Sequence, residues 1–139
     1  MPKVLLVKKA ALHPLSLLDR LTKDFVQEDY ILSHGFANLN ILFNRMAALS
    51  QQGRGQKIVF TIYPGGDCSF INTMKDNSAF MDSSTADSPD QAIIFIQENI
   101  LGPLLGLTQE EQKEIVSMED IPAALKALDD GEYALGFIY

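Results

Sequence analysis

The chain of 139 residues has the length of one domain, and 47% apolar with 21% charged residues is the composition of a folded globular protein. A single cysteine, Cys68, excludes an internal disulfide and a cysteine-based zinc site. No apolar run approaches the roughly 18 residues of a membrane span, and the run after Met1 is too short for a signal peptide. We therefore expect a cytoplasmic protein with no membrane association.

The formal net charge of −7 is divided unevenly along the chain. Residues 1–63 carry eight Lys/Arg and four Asp/Glu, whereas residues 64–139 carry three Lys/Arg and fourteen Asp/Glu. An acidic chain is a poor match for nucleic acid, because each phosphate contact needs a cation. We therefore expect no nucleic-acid partner and interpret these charges as solvated faces.

Strands and helices alternate in the first half of the predicted structure. Residues 4–7 predict a short buried strand, a helix then opens at Pro14 with an apolar stripe that reaches Phe25, and residues 26–32 predict a second strand. Apolar residues at helical spacing predict a longer helix over residues 37–51. Residues 57–63 alternate with period two, and together with the turn at residues 64–67 and the run 68–73 they predict a β-hairpin.

The second half begins with a polar loop, residues 75–87, and continues with three predicted helices. The first covers residues 88–101 and ends at a Gly-Pro pair. Thr108 and Glu111 form a capping box for a short second helix, and residues 115–116 predict a brief strand. Asp120 caps the third helix, which ends at Gly131.

The last predicted strand, residues 133–139, is apolar on both faces. Such a strand lies either in the middle of a sheet or at a subunit interface, because an apolar edge is a template for pairing with another chain. The unequal charge of the two halves would further steer one copy toward another. The sequence therefore predicts a homodimer.

The order βαβαββα(α)βαβ predicts a single α+β domain over residues 1–139. In that fold a mixed sheet with a central β-hairpin carries helices packed on the sheet. The chain ends inside an apolar strand, and complete domains more often end in solvated residues. Both interpretations stay open at this point: a complete domain, and a segment excised from a longer chain.

Sequence motifs for common chemistries are missing. The chain contains no P-loop, dinucleotide fingerprint, zincin motif or nucleophile elbow, and the acidic residues between Glu110 and Asp120 do not have calcium-loop spacing. We therefore expect no cofactor and no metal site. The candidate ligand-binding residues are His34, Tyr63 and Asp67, since a histidine before a helix can bind an anion and a carboxylate beside a turn can bind an amine. A shared pocket for these three would indicate a small-molecule site.

Three segments carry a family resemblance: residues 99–107, which include Pro103-Leu104-Leu105-Gly106, residues 121–125, and residues 130–138. In this order they resemble the bacterial and archaeal proteins called domain of unknown function 1015. The resemblance implies a related α+β fold. In that family the helix before the Pro-Leu-Leu-Gly turn often carries an Asp and a His, which fall here on Ala92 and Gln97, and a polar motif rich in lysine, serine and threonine follows the last strand.

The departures from the family pattern imply that this chain lacks chemistry located in those motifs. The leading functional hypothesis is a non-catalytic interaction or structural module. The alternative is a fragment of an enzyme, or a small-molecule binder, that acts on a phosphorylated or amino-acid-like ligand.

Overall fold

The structure of the protein is a computed structural model, which describes residues 3–8, 13–32, 38–50, 58–65, 68–75, 91–113 and 115–139. Its strands are β1 (Val4–Val7), β2 (Phe25–Ile31), β3 (Val59–Tyr63), β4 (Cys68–Met74), β5 (Val116–Met118) and β6 (Leu135–Ile138). Its helices are α1 (Pro14–Leu21), α2 (Leu39–Ser50), α3 (Gln91–Phe95), α4 (Gln109–Lys113) and α5 (Ile121–Asp129), and α3 continues as a π-helical segment over Ile96–Leu101. The domain is thus α+β.

The strands form one six-stranded sheet in the order β2-β4-β3-β6-β1-β5. Every pairing in it is antiparallel, so the mixture of strand directions expected from the sequence is not found. The reason is the path of the helical connections: the chain leaves β1 near one edge and returns as β2 at the other, so no crossover joins neighbouring parallel strands. The terminal strand β6 lies between β3 and β1. Of the two positions predicted for this apolar strand, the middle of a sheet and a subunit interface, the structure shows the first.

Helices cover both faces of the sheet, and a separate core lies on each. The first core is built around an aromatic cluster, in which Phe25 lies edge-on to Phe60 and to Phe95 with ring centroids 5.2 and 5.3 Å apart. Side chains of α1 and of the helix around Ile96 complete it. Among the helices described, none is long and apolar enough to cross a membrane.

The second core lies between the sheet and the helices α2 and α5. It contains the buried stripe of α2 together with buried residues of α5 such as Leu125 and Leu128. Gly136 in β6 allows α5 to come close, because a Cβ atom at this position would lie 2.5 Å from Leu128 Cδ1. The sheet is therefore sandwiched between two helical layers, and only its two edges are left at the sides.

Side-chain caps define where several helices begin. The Nδ1 atom of His13 accepts the Leu15 N–H at 3.2 Å, so this histidine caps α1. Thr108 and Glu111 exchange reciprocal hydrogen bonds of 3.1 Å, and Asp120 accepts the Ala123 N–H at 3.2 Å. These contacts are the caps predicted from the sequence for α4 and α5.

The boundary between α1 and β2 differs from the prediction. Phe25 continues the apolar spacing of Leu21, yet α1 ends at Leu21 and Phe25 is the first residue of β2. The Thr22 hydroxyl and N–H both bond the Asp19 carbonyl, and this local bonding ends the helix. Phe25 reaches the first core from the sheet, and β2 therefore starts inside the aromatic cluster.

Candidate functional site

The three predicted ligand-binding residues have different outcomes. Tyr63 lies on β3 and is completely buried in the second core, where its hydroxyl donates a 2.6 Å hydrogen bond to Asp129 Oδ1 at the end of α5. His34 and Asp67 lie outside the described residues. The grouping of the three side chains in one pocket therefore stays a prediction, and the Tyr63 phenol itself fastens α5 to the sheet.

Metal-binding groups do not converge in the part of the chain that the structure describes. There, no three side chains among His, Cys, Asp and Glu come together as a metal site would require. Cys68 is an exposed free thiol at the start of β4, directly across from Ile31 in β2.

The open side of β2 is the most unusual surface of the described fold. β2 pairs with β4 residue by residue from Phe25 to Ile31, and among the described strands none pairs with its other side. The Met74 N–H, opposite Phe25, donates to the carbonyl of Ile58, the residue before β3, and not to β2. Antiparallel ladders alternate, so the backbone groups of Phe25, Gln27, Asp29 and Ile31 point away from β4.

The outward direction is confirmed at one end of the strand. The side-chain amide of Asn38, the residue before α2, donates a 3.0 Å hydrogen bond to the Ile31 carbonyl. For the N–H and carbonyl groups of Phe25, Gln27 and Asp29, no backbone partner outside the β2–β4 ladder occurs among the described residues. β2 thus presents a row of hydrogen-bonding groups along an open edge.

Apolar side chains lie exposed on both faces beside this edge. Ile31 is 67% exposed on the α1 face of the sheet, and Val26 is 57% exposed on the α2 face. Ile41 on α2 is 61% exposed, one turn before Arg45, which contacts β2. A chain added beside β2 would cover apolar area on both faces as well as the open backbone groups.

An ion pair joins the edge strand to α2. Arg45 donates two hydrogen bonds to the Glu28 carboxylate, at 2.9 Å from Nε and 2.7 Å from the terminal nitrogen. These bonds hold the pKa of the Glu28 carboxyl below its ordinary value, although partial burial opposes the shift, and the same contact raises the pKa of the Arg45 guanidinium. Glu28 is therefore an ionised carboxylate in the middle of β2, and its charge is paired with that of Arg45.

The second edge strand, β5, offers much less. It has three residues, all of which pair with β1, and Val116 is 37% exposed. Lys3 and Glu119 flank it with a loose contact of 3.8 Å between exposed side chains. A short edge strand with charged neighbours is the usual protection against unwanted pairing.

Sequence reasoning missed the open edge of β2. The available signal was the odd spacing of Val26 and Ile31, which places two apolar residues on opposite faces of a strand that also contains Glu28 and Asp29. That pattern does not fit a strand with one dry and one wet face. It does not by itself place β2 at an edge, because that position depends on long-range pairing.

Comparison of the chain with protein-family models, with curated proteins and with solved structures finds no match.

Proposed function

We propose that the protein is a non-catalytic interaction module that forms a homodimer through the open edge of β2. The observation that carries this proposal is a seven-residue edge strand with outward backbone groups and exposed apolar side chains on both of its faces. Addition of a strand to an open sheet edge is a common mode of protein recognition, in which main-chain hydrogen bonds supply much of the affinity.

β2 lacks several of the usual protections of an edge strand, although it does carry the charged residues Glu28 and Asp29. The strand contains neither proline nor lysine, and its unbroken register with β4 leaves no bulge. Apart from the Asn38 bond to the Ile31 carbonyl, no hydrogen bond from α2 reaches the outward backbone groups of β2 among the described residues. A long and weakly protected edge is expected where pairing is part of the function.

A second copy of the chain is the partner that this edge fits. An edge strand carries donors and acceptors in alternation, so an antiparallel copy related by two-fold symmetry satisfies both sets at once. The terminal strand β6, which first suggested self-association, is central in the sheet and pairs on both sides. The proposed homodimer therefore depends on β2 and not on β6.

Proline substitution at one outward N–H on each edge tests the proposal. On β2 the residue is Asp29, which is exposed and has no side-chain hydrogen bond among the described residues. On β5 it is Ser117: Lys3 exchanges backbone bonds with Tyr139, so by alternation Leu5 faces β6 and its β5 neighbour Ser117 points outward. Neither proline removes a hydrogen bond of the sheet itself.

Light scattering at several protein concentrations gives the readout. We expect a dimer for the wild type and for Ser117→Pro, and a monomer with unchanged circular dichroism for Asp29→Pro. The variant Asp29→Ala controls for the lost carboxylate and should stay dimeric. A wild type that is monomeric at every concentration, or an Asp29→Pro variant that dimerises like the wild type, would contradict the proposal.

A further inference from the structure

Resting on the proposed function, we infer that the two copies of β2 pair antiparallel with Glu28 of each chain on the two-fold axis. The strand Phe25–Ile31 then overlaps completely with its copy, and the two sheets become one continuous sheet.

Symmetry limits the choice to a few registers. The two-fold axis between antiparallel neighbours is perpendicular to the sheet, so each face of one copy continues into the same face of the other. Side chains of Val26, Glu28 and Tyr30 share the α2 face, and those of Gln27 and Asp29 share the other. One residue near the middle of the strand must therefore lie on the axis: Gln27, Glu28 or Asp29.

Hydrogen bonding favours Glu28 on the axis. In that register Phe25 faces the partner's Ile31 and Gln27 faces the partner's Asp29, so all four outward residues meet another outward residue. With Gln27 on the axis, Ile31 extends past the end of the partner's strand. With Asp29 on the axis, Phe25 extends past the end of the partner's strand. Only the complete overlap uses the whole edge.

Apolar contacts point to the same register. Val26, which is 57% exposed, would pack on the half-buried Tyr30 ring of the partner on the α2 face. Ile31, which is 67% exposed, would lie opposite the partner's Phe25 on the other face, where the Phe25 ring is already buried in its own core. Aromatic side chains paired with β-branched residues are among the favourable cross-strand pairs of antiparallel sheets.

Charge separates the two registers that place an acidic residue on the axis. Like charges directly opposite each other destabilise a strand pair, and either acidic residue on the axis would face its own copy. Asp29 has no cation bonded to it among the described residues, whereas Glu28 is held by two hydrogen bonds from Arg45. The carboxylate that the inferred register places on the axis is therefore the one whose charge is already paired.

Cysteine cross-linking reads the register directly. In a Cys68→Ser background, Glu28→Cys places two thiols across a non-hydrogen-bonded pair, whose Cα separation of about 4.5 Å allows a disulfide. Gln27→Cys and Asp29→Cys each meet their own copy only diagonally, at about 7–8 Å. We expect rapid cross-linking of Glu28→Cys, at least about tenfold slower cross-linking of each neighbour alone, and efficient cross-linking when the two neighbours are mixed.

The outcomes separate the register from the proposed function. A protein that dimerises but cross-links fastest at Gln27→Cys or at Asp29→Cys would overturn the inferred register and leave the β2 dimer standing. A dimer with no cross-link at any of the three positions would overturn both, as would a wild type that does not dimerise.

A rescue experiment tests the charge argument without cysteine. Arg45→Ala leaves two bare Glu28 carboxylates opposite each other and should raise the dimer dissociation constant at neutral pH about tenfold or more. Adding Glu28→Gln to Arg45→Ala removes the repulsion and should restore most of the affinity. If the double variant is as weak as Arg45→Ala, the two carboxylates do not face each other and the register is wrong.

Discussion

The two edges of the sheet differ in length, in charge and in anchoring. β2 is seven residues long, carries exposed apolar side chains and starts with a phenylalanine in the aromatic cluster of the first core. β5 is three residues long, none of its residues is fully buried, and the loose pair of Lys3 and Glu119 flanks it. β2 is thus a long edge that is anchored in the first core and carries exposed apolar side chains, whereas β5 is a short edge with charged residues beside it.

The comparison shows that the two edges are protected unequally against pairing with other chains. A folded protein must prevent its open edges from pairing at random, and short length with charged neighbours achieves this at β5. The same devices would have been available at β2, where two acidic residues already lie in the strand. Instead the charge of Glu28 is paired with that of Arg45 and the strand remains long, which is the arrangement that the proposed pairing requires.

The largest expected effect concerns the anchoring of the two edges. Phe25→Ala removes a ring that contacts Phe60 and Phe95, and we expect the free energy of unfolding to fall by about 3–5 kcal/mol. Met118→Ala on β5 removes a half-buried side chain and should lower it by clearly less. Urea unfolding of both variants gives the comparison, and equal losses would show that β2 is not the better anchored edge.

A smaller effect is expected from one charge placed on each edge. Ile31→Lys brings a lysine to the surface that a second copy would cover in the proposed dimer, and we expect the dimer dissociation constant to rise about tenfold, equivalent to about 1.4 kcal/mol. Val116→Lys on β5 is the matched control and should leave dimerisation unchanged. Sedimentation analysis over a concentration series measures both. Similar weakening by the two lysines would mean that net charge, and not the β2 edge, controls association.

Much of the local structure follows from the sequence. The two capping pairs of α4 and α5 are visible as residue patterns, because a cap depends on neighbours within one helical turn. The end of α1 cannot be predicted in this way. Phe25 lies four residues after Leu21, and this spacing fits both another turn of the helix and the first core-facing residue of the next strand. The local bonds of Thr22 decide the boundary.

The candidate surface could not be derived in the same way. Nothing within β2 says that it lies at an edge, since strand order is fixed by pairings such as that between β4 and β3 far along the chain. Tyr63 illustrates the same limit. The burial of its ring follows from the pairing of β3 with β4 and β6 and from the helical layer over that face, and neither can be read from the residues around Tyr63.

The smallest expected effect concerns the two ion pairs that flank the edges. The folded pKa of Glu28 lies below its ordinary value because of the Arg45 hydrogen bonds, so the unfolded chain binds more protons in the acidic range. The stabilising contribution of Glu28 is therefore complete at neutral pH and is lost as the pH falls from about 5 toward 3. Solvent screens this half-exposed pair, so the effect is modest.

Urea unfolding at pH 7 and at pH 3, in the monomeric Asp29→Pro background, measures this contribution without interference from dimerisation. We expect Glu28→Gln to be less stable than its parent at pH 7, with a smaller difference at pH 3 and in high salt. Glu119→Gln at the β5 edge is the control, and it should match its parent at both values, because its contact with Lys3 is loose and exposed. If Glu28→Gln and its parent lose stability in parallel on acidification, the Glu28–Arg45 pair does not distinguish the two edges. The charge argument for placing Glu28 on the two-fold axis of the proposed dimer would then fail.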